Sequence, residues 1–186
     1  MKKLMIAFAV VAMGIVANAA SFSWSTPSGY LWDGAASPAK ITSGSAYLVF
    51  TSALTQSDLV TAFAADAATA QATVTAKKVS TGTIGSNARI GDTAFTADVT
   101  SDQTAYFVVF NGDNMYISGT TSAEYMAVGE ATIEFASITS SSKAAALDAA
   151  GGYSAAGWYT ASVPEPTSGL LLLLGVAGLA LKRKRA

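Results

Sequence analysis

Two short apolar runs, Ala46 to Phe50 (AYLVF) and Ala105 to Phe110 (AYFVVF), set the strictest limit on what this chain can fold into. Each is too short for a buried helix and apolar on both alternating faces, so each reads as a central strand covered above and below. Around them, short β-branched and aromatic segments are separated by Gly, Ser, Asn and Asp, the pattern of antiparallel strands with short connections. The two runs resemble each other at a spacing of 59 positions. Buried strands converge on such residues, and the flanks of the two do not match.

The remaining segments fill in the layers. Ser21 to Ser25 and Tyr30 to Trp32 read as an opening strand pair joined through Thr26-Pro27-Ser28-Gly29. Phe95, Ala97 and Val99 alternate with Thr96 and Asp98. Ala131, Ile133 and Phe135 alternate with Thr132 and Glu134, and Val74 and Ala76 alternate more weakly with Thr73 and Thr75. Asn111-Gly112-Asp113-Asn114 predicts a hairpin turn. One helix is expected from a Thr55-x-x-Asp58 start to about Gln71, with Leu59, Val60, Phe63, Ala64 and Ala67 on its packed side. A shorter one is expected from Lys143 to Ala150, between Ser142 as N-cap and Gly151-Gly152 as stop. Trp158 to Ala161 reads as a last strand or the end of a linker. The expected fold is mainly β: an antiparallel β-sandwich-like ectodomain with one inserted α-helix, flanked by a signal-peptide helix and a C-terminal transmembrane helix.

Both ends carry targeting chemistry. Lys2 and Lys3, an apolar stretch from Leu4 to Val16, and Ala17-Asn18-Ala19 make a secretory signal peptide over residues 1–19, with Ala17 and Ala19 as the small residues of the cleavage site. At the other end, Val163-Pro164-Glu165-Pro166 precedes a run free of charge from Gly169 to Leu181 and then Lys182-Arg183-Lys184-Arg185. The prolines disfavour helix before them, so a helix begins only at Thr167 or Ser168. Thirteen apolar residues give roughly 20 Å of helix, short against a hydrocarbon core about 30 Å thick. The four cations hold their end in the cytoplasm. The domain organisation read from this is a leader (1–19), a β-rich exported domain (20–162) and a C-terminal signal (163–186), the last divided into motif (163–166), transmembrane helix (168–181) and basic tail (182–186).

This order of motif, apolar helix and basic terminus resembles the PEP-CTERM sorting signal, and the resemblance covers about residues 163–186. It implies recognition of Val163 to Pro166 by exosortase, a membrane-embedded cysteine transpeptidase-like enzyme, and Lys182 to Arg185 as the cytoplasmic anchor. It further implies a bacterium of Gram-negative type that makes extracellular polysaccharide. The other partners expected are the Sec export machinery, signal peptidase and, at least transiently, the membrane. The expected location is an inner-membrane-anchored intermediate on the way to the cell envelope or extracellular matrix.

Composition narrows what the exported domain does. The chain has no Cys and no His, which excludes histidine-based triads, Cys-His dyads, and His or Cys metal sites. Between Ala20 and Pro166 five basic side chains face twelve acidic ones, a net charge of −7 that disfavours nucleic acid. No cofactor is expected, and the chain reads as non-enzymatic. Asp98, Asp102, Glu124, Glu130 and Glu134 are the carboxylates a glycosidase would draw on, but their spacing selects no facing pair. Asp113 with Asn111 and Asn114 lacks the spacing of a calcium loop. Trp24, Tyr30, Trp32, Trp158 and Tyr159 are the candidates for a sugar-stacking platform, so an extracellular polysaccharide-binding module is the alternative reading.

Overall fold

In the computed structural model, which describes residues 19–27, 29–140, 144–146, 153 and 155–160, the two apolar runs lie side by side. In chain order the elements are β1 (Ala20–Ser25), β2 (Ser45–Phe50), α1 (Gln56–Ala65), α2 (Ala67–Lys77), β3 (Ser80–Thr83), β4 (Thr93–Ala97), β5 (Gln103–Asn111), β6 (Asn114–Ile117), β7 (Thr121–Ala123), β8 (Glu130–Glu134), β9 (Ala144–Ala146) and β10 (Gly157–Thr160). β2 and β5 pair antiparallel from Ala46 opposite Val109 to Phe50 opposite Ala105. Because side chains alternate along a strand, Leu48, Phe50, Phe107 and Val109 enter one core while Val49, Tyr106 and Val108 enter a second. Both strands are covered on both faces, as their composition requires.

The larger sheet runs β3-β2-β5-β6-β10-β9. β5 is long enough to carry two partners on the flank away from β2, β6 beside Val108 to Asn111 and β7 beside Gln103 to Ala105. Between them Ser118 stands in for the ladder: its Oγ accepts the Phe107 N–H at 2.9 Å and its own N–H donates to the Phe107 carbonyl at 3.0 Å. The smaller sheet, β4-β1-β8, covers one face of the larger one. Phe22 lies 6.1 Å from Phe50 and Trp24 6.2 Å from Phe107, ring to ring. On the opposite face Leu59, Val60, Phe63, Ala70 and Val74 of the helices pack against Val49, Tyr106, Met115 and Ile117. The described residues are mainly β, two packed sheets with a helical third layer, an arrangement consistent with a β-sandwich-like fold.

Several expectations hold. Ala131 and Ile133 are buried between exposed Thr132 and Glu134, and Phe95 and Ala97 are half-buried between exposed neighbours. The hairpin turn forms with Asn111 opposite Asn114 and Gly112 at φ 58°, the left-handed first position that favours glycine. Trp158 belongs to a strand, β10. Thr55 caps α1 and accepts the Asp58 N–H at 3.1 Å.

Others do not hold. The one helix expected from Thr55 to Gln71 is two, because Asp66 is extended (φ −166°, ψ 124°), ends α1 by donating its N–H to Ala62, and starts α2 by accepting the Thr69 N–H at 2.7 Å. The weak alternation of Thr73 to Ala76 belongs to α2: Ala70 and Val74 share its buried face, and the Thr73 and Thr75 hydroxyls bond back to the carbonyls four residues earlier. Tyr30 to Trp32 does not pair with Ser21 to Ser25, since both flanks of β1 are taken by β4 and β8. Trp32 instead bridges Lys40. Nor are the sheets purely antiparallel, for β1 runs parallel to β8 and β9 parallel to β10. Within the expected second short helix, Ala144–Ala146 is strand β9, and the rest of Lys143 to Ala150 lies outside the described residues. Residues 1–18 of the expected signal peptide (1–19) and the whole expected C-terminal signal (163–186), with its transmembrane and basic segments, also lie outside them. Among the described residues no helix is long and apolar enough to cross a membrane.

Candidate functional site

β10 is the last described element, and Val163 follows its final residue by three positions. Trp158 and Tyr159 fix the strand by entering opposite cores, and Thr160 Oγ1 donates to Asn114 Oδ1 at 2.6 Å. The described chain therefore ends beside the Gly112-Asp113 turn, at one end of β5. β1 begins at the other end. Phe22 of β1 packs on Phe50, which pairs with Ala105, whereas the Trp24 ring crowds Gly82, whose register partner Ala46 pairs with Val109. Ala20 and Thr160 thus mark opposite poles of the sandwich, with Ala105 to Asn111 of β5 spanning roughly 20 Å between them.

At the pole of Thr160 sits a cluster of two aromatic rings and two cations. Tyr30 and Trp32 meet edge to face at 6.4 Å. The Lys40 ammonium stands 3.4 Å from the Tyr30 ring centre and 5.7 Å from that of Trp32, and the Arg89 guanidinium lies 5.4 Å from Tyr30. Backbone pairing makes these contacts: Trp32 bridges Lys40, Leu31 donates to the Ala88 carbonyl at 2.7 Å, and Arg89 Nε and Nη1 donate to the Gly29 and Pro27 carbonyls at 2.7 and 3.3 Å. Asp33 in the same loop accepts the Ala35 and Ala39 N–H groups at 3.3 and 3.0 Å. The cluster is tied to β10, because Trp158 Nε1 donates to the Trp32 carbonyl at 3.1 Å and the Trp158 ring packs against Gly34. Neither Lys40 nor Arg89 is recognisable in sequence as part of it. Lys40 follows Trp32 by eight positions across a Gly/Ala/Ser/Pro loop, and Arg89 follows Tyr30 by fifty-nine.

The stacking platform read from sequence is not assembled. Trp24, Trp158 and Tyr159 are buried, with Trp24 Nε1 donating to Ser80 Oγ at 3.0 Å, and only Tyr30 and Trp32 reach the surface. Asp98, Asp102, Glu124, Glu130 and Glu134 are all exposed, and Asp102 accepts the Tyr125 N–H at 2.7 Å. A shallow cleft of about 200 Å³ is lined by Tyr116, Ser118, Thr120, Thr121 and Phe135 at the break between β6 and β7, with no carboxylate in its wall. Asn114 is engaged by Thr160, and no group of three His, Cys, Asp or Glu side chains fit to hold a metal occurs among the described residues. Tyr116 is pushed up to about 12 by burial and, secondarily, by Tyr153. Burial, then the Asp58 charge, raises Tyr106 further still, and its hydroxyl donates to the Leu54 carbonyl at 2.9 Å. Both phenols belong to the packing.

Ala19 is exposed immediately ahead of β1, while Ala20 is buried and opposite Ala97. Ala17, Val163 to Pro166 and Lys182 to Arg185 lie outside the described residues. Residues 162–185 match the family model of the PEP-CTERM protein-sorting motif. No curated protein and no solved structure matches the chain.

Proposed function

We propose that this chain is a non-enzymatic protein of the cell envelope or extracellular matrix, exported through the Sec machinery and sorted by its C-terminus. Signal peptidase removes residues 1–19. The run from Gly169 to Leu181 then holds the domain at the inner membrane, with Lys182 to Arg185 on the cytoplasmic side, until an exosortase-like transpeptidase acts at Val163 to Pro166. The match of residues 162–185 to the PEP-CTERM protein-sorting motif is the observation that carries this reading. Two features agree with it. Only Ala161 and Ser162 separate β10 from the motif, so the folded body stands close to the bilayer while it is held. Ala19 is exposed directly ahead of β1, whose first residue is Ala20.

Replacing Pro164, Glu165 and Pro166 by alanine should leave export intact and retain the protein in the inner-membrane fraction. Mass spectrometry of the wild-type surface form should show a chain lacking Gly169 to Ala186. An intact C-terminus on the final product, or unchanged localisation of the alanine variant, contradicts the proposal.

A further inference from the structure

We infer that Tyr30, Trp32, Lys40 and Arg89 form a docking patch for the headgroups of anionic phospholipids, which seats the exported domain on the bilayer while its tail is anchored. The inference rests on the anchoring proposed above. Its first support is position. Trp158, whose indole holds the Trp32 carbonyl, is eleven residues from Gly169, where the apolar run begins, a separation that covalent geometry limits to roughly 40 Å. This pole reaches the lipid around the tail on the shorter tether, the other pole lying a further length of β5 away. Ala20 and the exposed loop side chains Met126 and Val128 lie towards the other pole.

The second support is chemistry. Tyr and Trp favour the headgroup level, where an apolar ring and a polar edge are both satisfied, and cations there gain from anionic lipid phosphates. Here Tyr30 is 40% exposed with Lys40 and Arg89 both placed about its ring. Those two cations are among only five basic side chains between Ala20 and Pro166, against twelve acidic ones. Lys40 and Arg89 offset in part the exposed Asp92, Asp113 and Glu134 carboxylates of their own pole, whereas the other pole carries Asp98, Asp102, Glu124 and Glu130, so the acidic body is repelled less from an anionic surface on this side. Asp33 opposes this locally, although its carboxylate is engaged by two backbone N–H groups of its own loop.

Trp32 supplies the probe. Trp24 and Trp158 are 0% and 1% exposed, so Trp32 is the one half-buried indole among the three. The protein isolated from the membrane fraction would be reconstituted into vesicles of phosphatidylcholine, with or without phosphatidylglycerol, carrying a headgroup spin label. Quenching should require phosphatidylglycerol, disappear in Trp32→Phe, and show a docked-to-undocked ratio reduced roughly fivefold in Lys40→Gln. The Lys40 ammonium stands over the Tyr30 and Trp32 rings and makes no hydrogen bond among the described residues, so this variant keeps the test valid if the Arg89→Gln variant, which loses the bonds to Gly29 and Pro27, fails to fold. Wild-type protein that floats with the vesicles but has Trp32 quenched by acrylamide and not by labelled lipid overturns the patch and leaves the anchoring intact. The same holds if Trp32 is protected by soluble polysaccharide and not by lipid. Protein that fails to float overturns both.

Discussion

Trp158 joins three parts of the molecule through one side chain. Its ring lies 5.5 Å from Tyr116 in the sandwich core, packs against Gly34, and donates to the Trp32 carbonyl. Trp158→Ala should cost about 3–5 kcal/mol, the usual range for truncating a buried aromatic residue, in urea unfolding followed by circular dichroism. Gly34 is fixed by the same contact, since a Cβ there would lie 2.6 Å from the ring. Tyr116 makes a second residue-level prediction. Its folded pKa of about 12 stands above the ordinary value of 10.0 because burial penalises the phenolate. The stability it contributes is therefore complete below pH 10 and is lost as pH rises towards 12. The wild-type urea midpoint should fall over that window, and Tyr116→Phe should flatten the fall.

Among the elements, the helix pair depends on Asp66, the residue that stops one helix and starts the next. Hydrogen bonds from the Thr69 hydroxyl and N–H hold its carboxyl below the ordinary value of 3.8. A depressed acid stabilises the fold above its unfolded pKa and ceases to as pH falls through the folded one. Asp66→Asn should therefore remove part of the acid dependence of stability below pH 4, measured as urea midpoints from pH 5 to 2. The same pair marks the limit of what the sequence discloses. β2, β5, β8 and the Gly112 turn were legible because each is specified by its own residues, through a continuous apolar run, strict alternation or a left-handed turn position. The break at Asp66 is also local, but an unbroken apolar stripe from Leu59 to Ala67 hides it. Partners of β1 were not legible, because Phe22 and Trp24 state that a face is buried and not which strands flank it. For the candidate site, the sorting motif lies on contiguous residues and is readable. The Tyr30 cluster needs Arg89, which only tertiary pairing through Ala88 brings to the same pole.

For the whole molecule the governing feature is that the start of β1 and the end of β10 lie at opposite poles. While the tail is held in lipid, the hairpin turn at Asp113 should face the bilayer and Val128, 87% exposed in the loop before β8, should face away. The chain contains no native Cys, so single cysteines report cleanly. In vesicle-bound protein Val128→Cys should react with a bulky maleimide several-fold faster than Asp113→Cys, and detergent should bring the two rates together. Equal rates in vesicles would mean that the domain tumbles on its tether without a preferred face.

The place of β1 in the small sheet has a temporal consequence. Strand β1 needs residues 93–97 on one edge and 130–134 on the other, so the first edge waits for about half of the polypeptide to emerge and the second for about seven-tenths of it. Long-range pairing of this kind slows folding. A strand that must wait for its neighbours keeps the front of the chain threadable, a useful property in a protein destined to pass through a narrow pore before it takes shape.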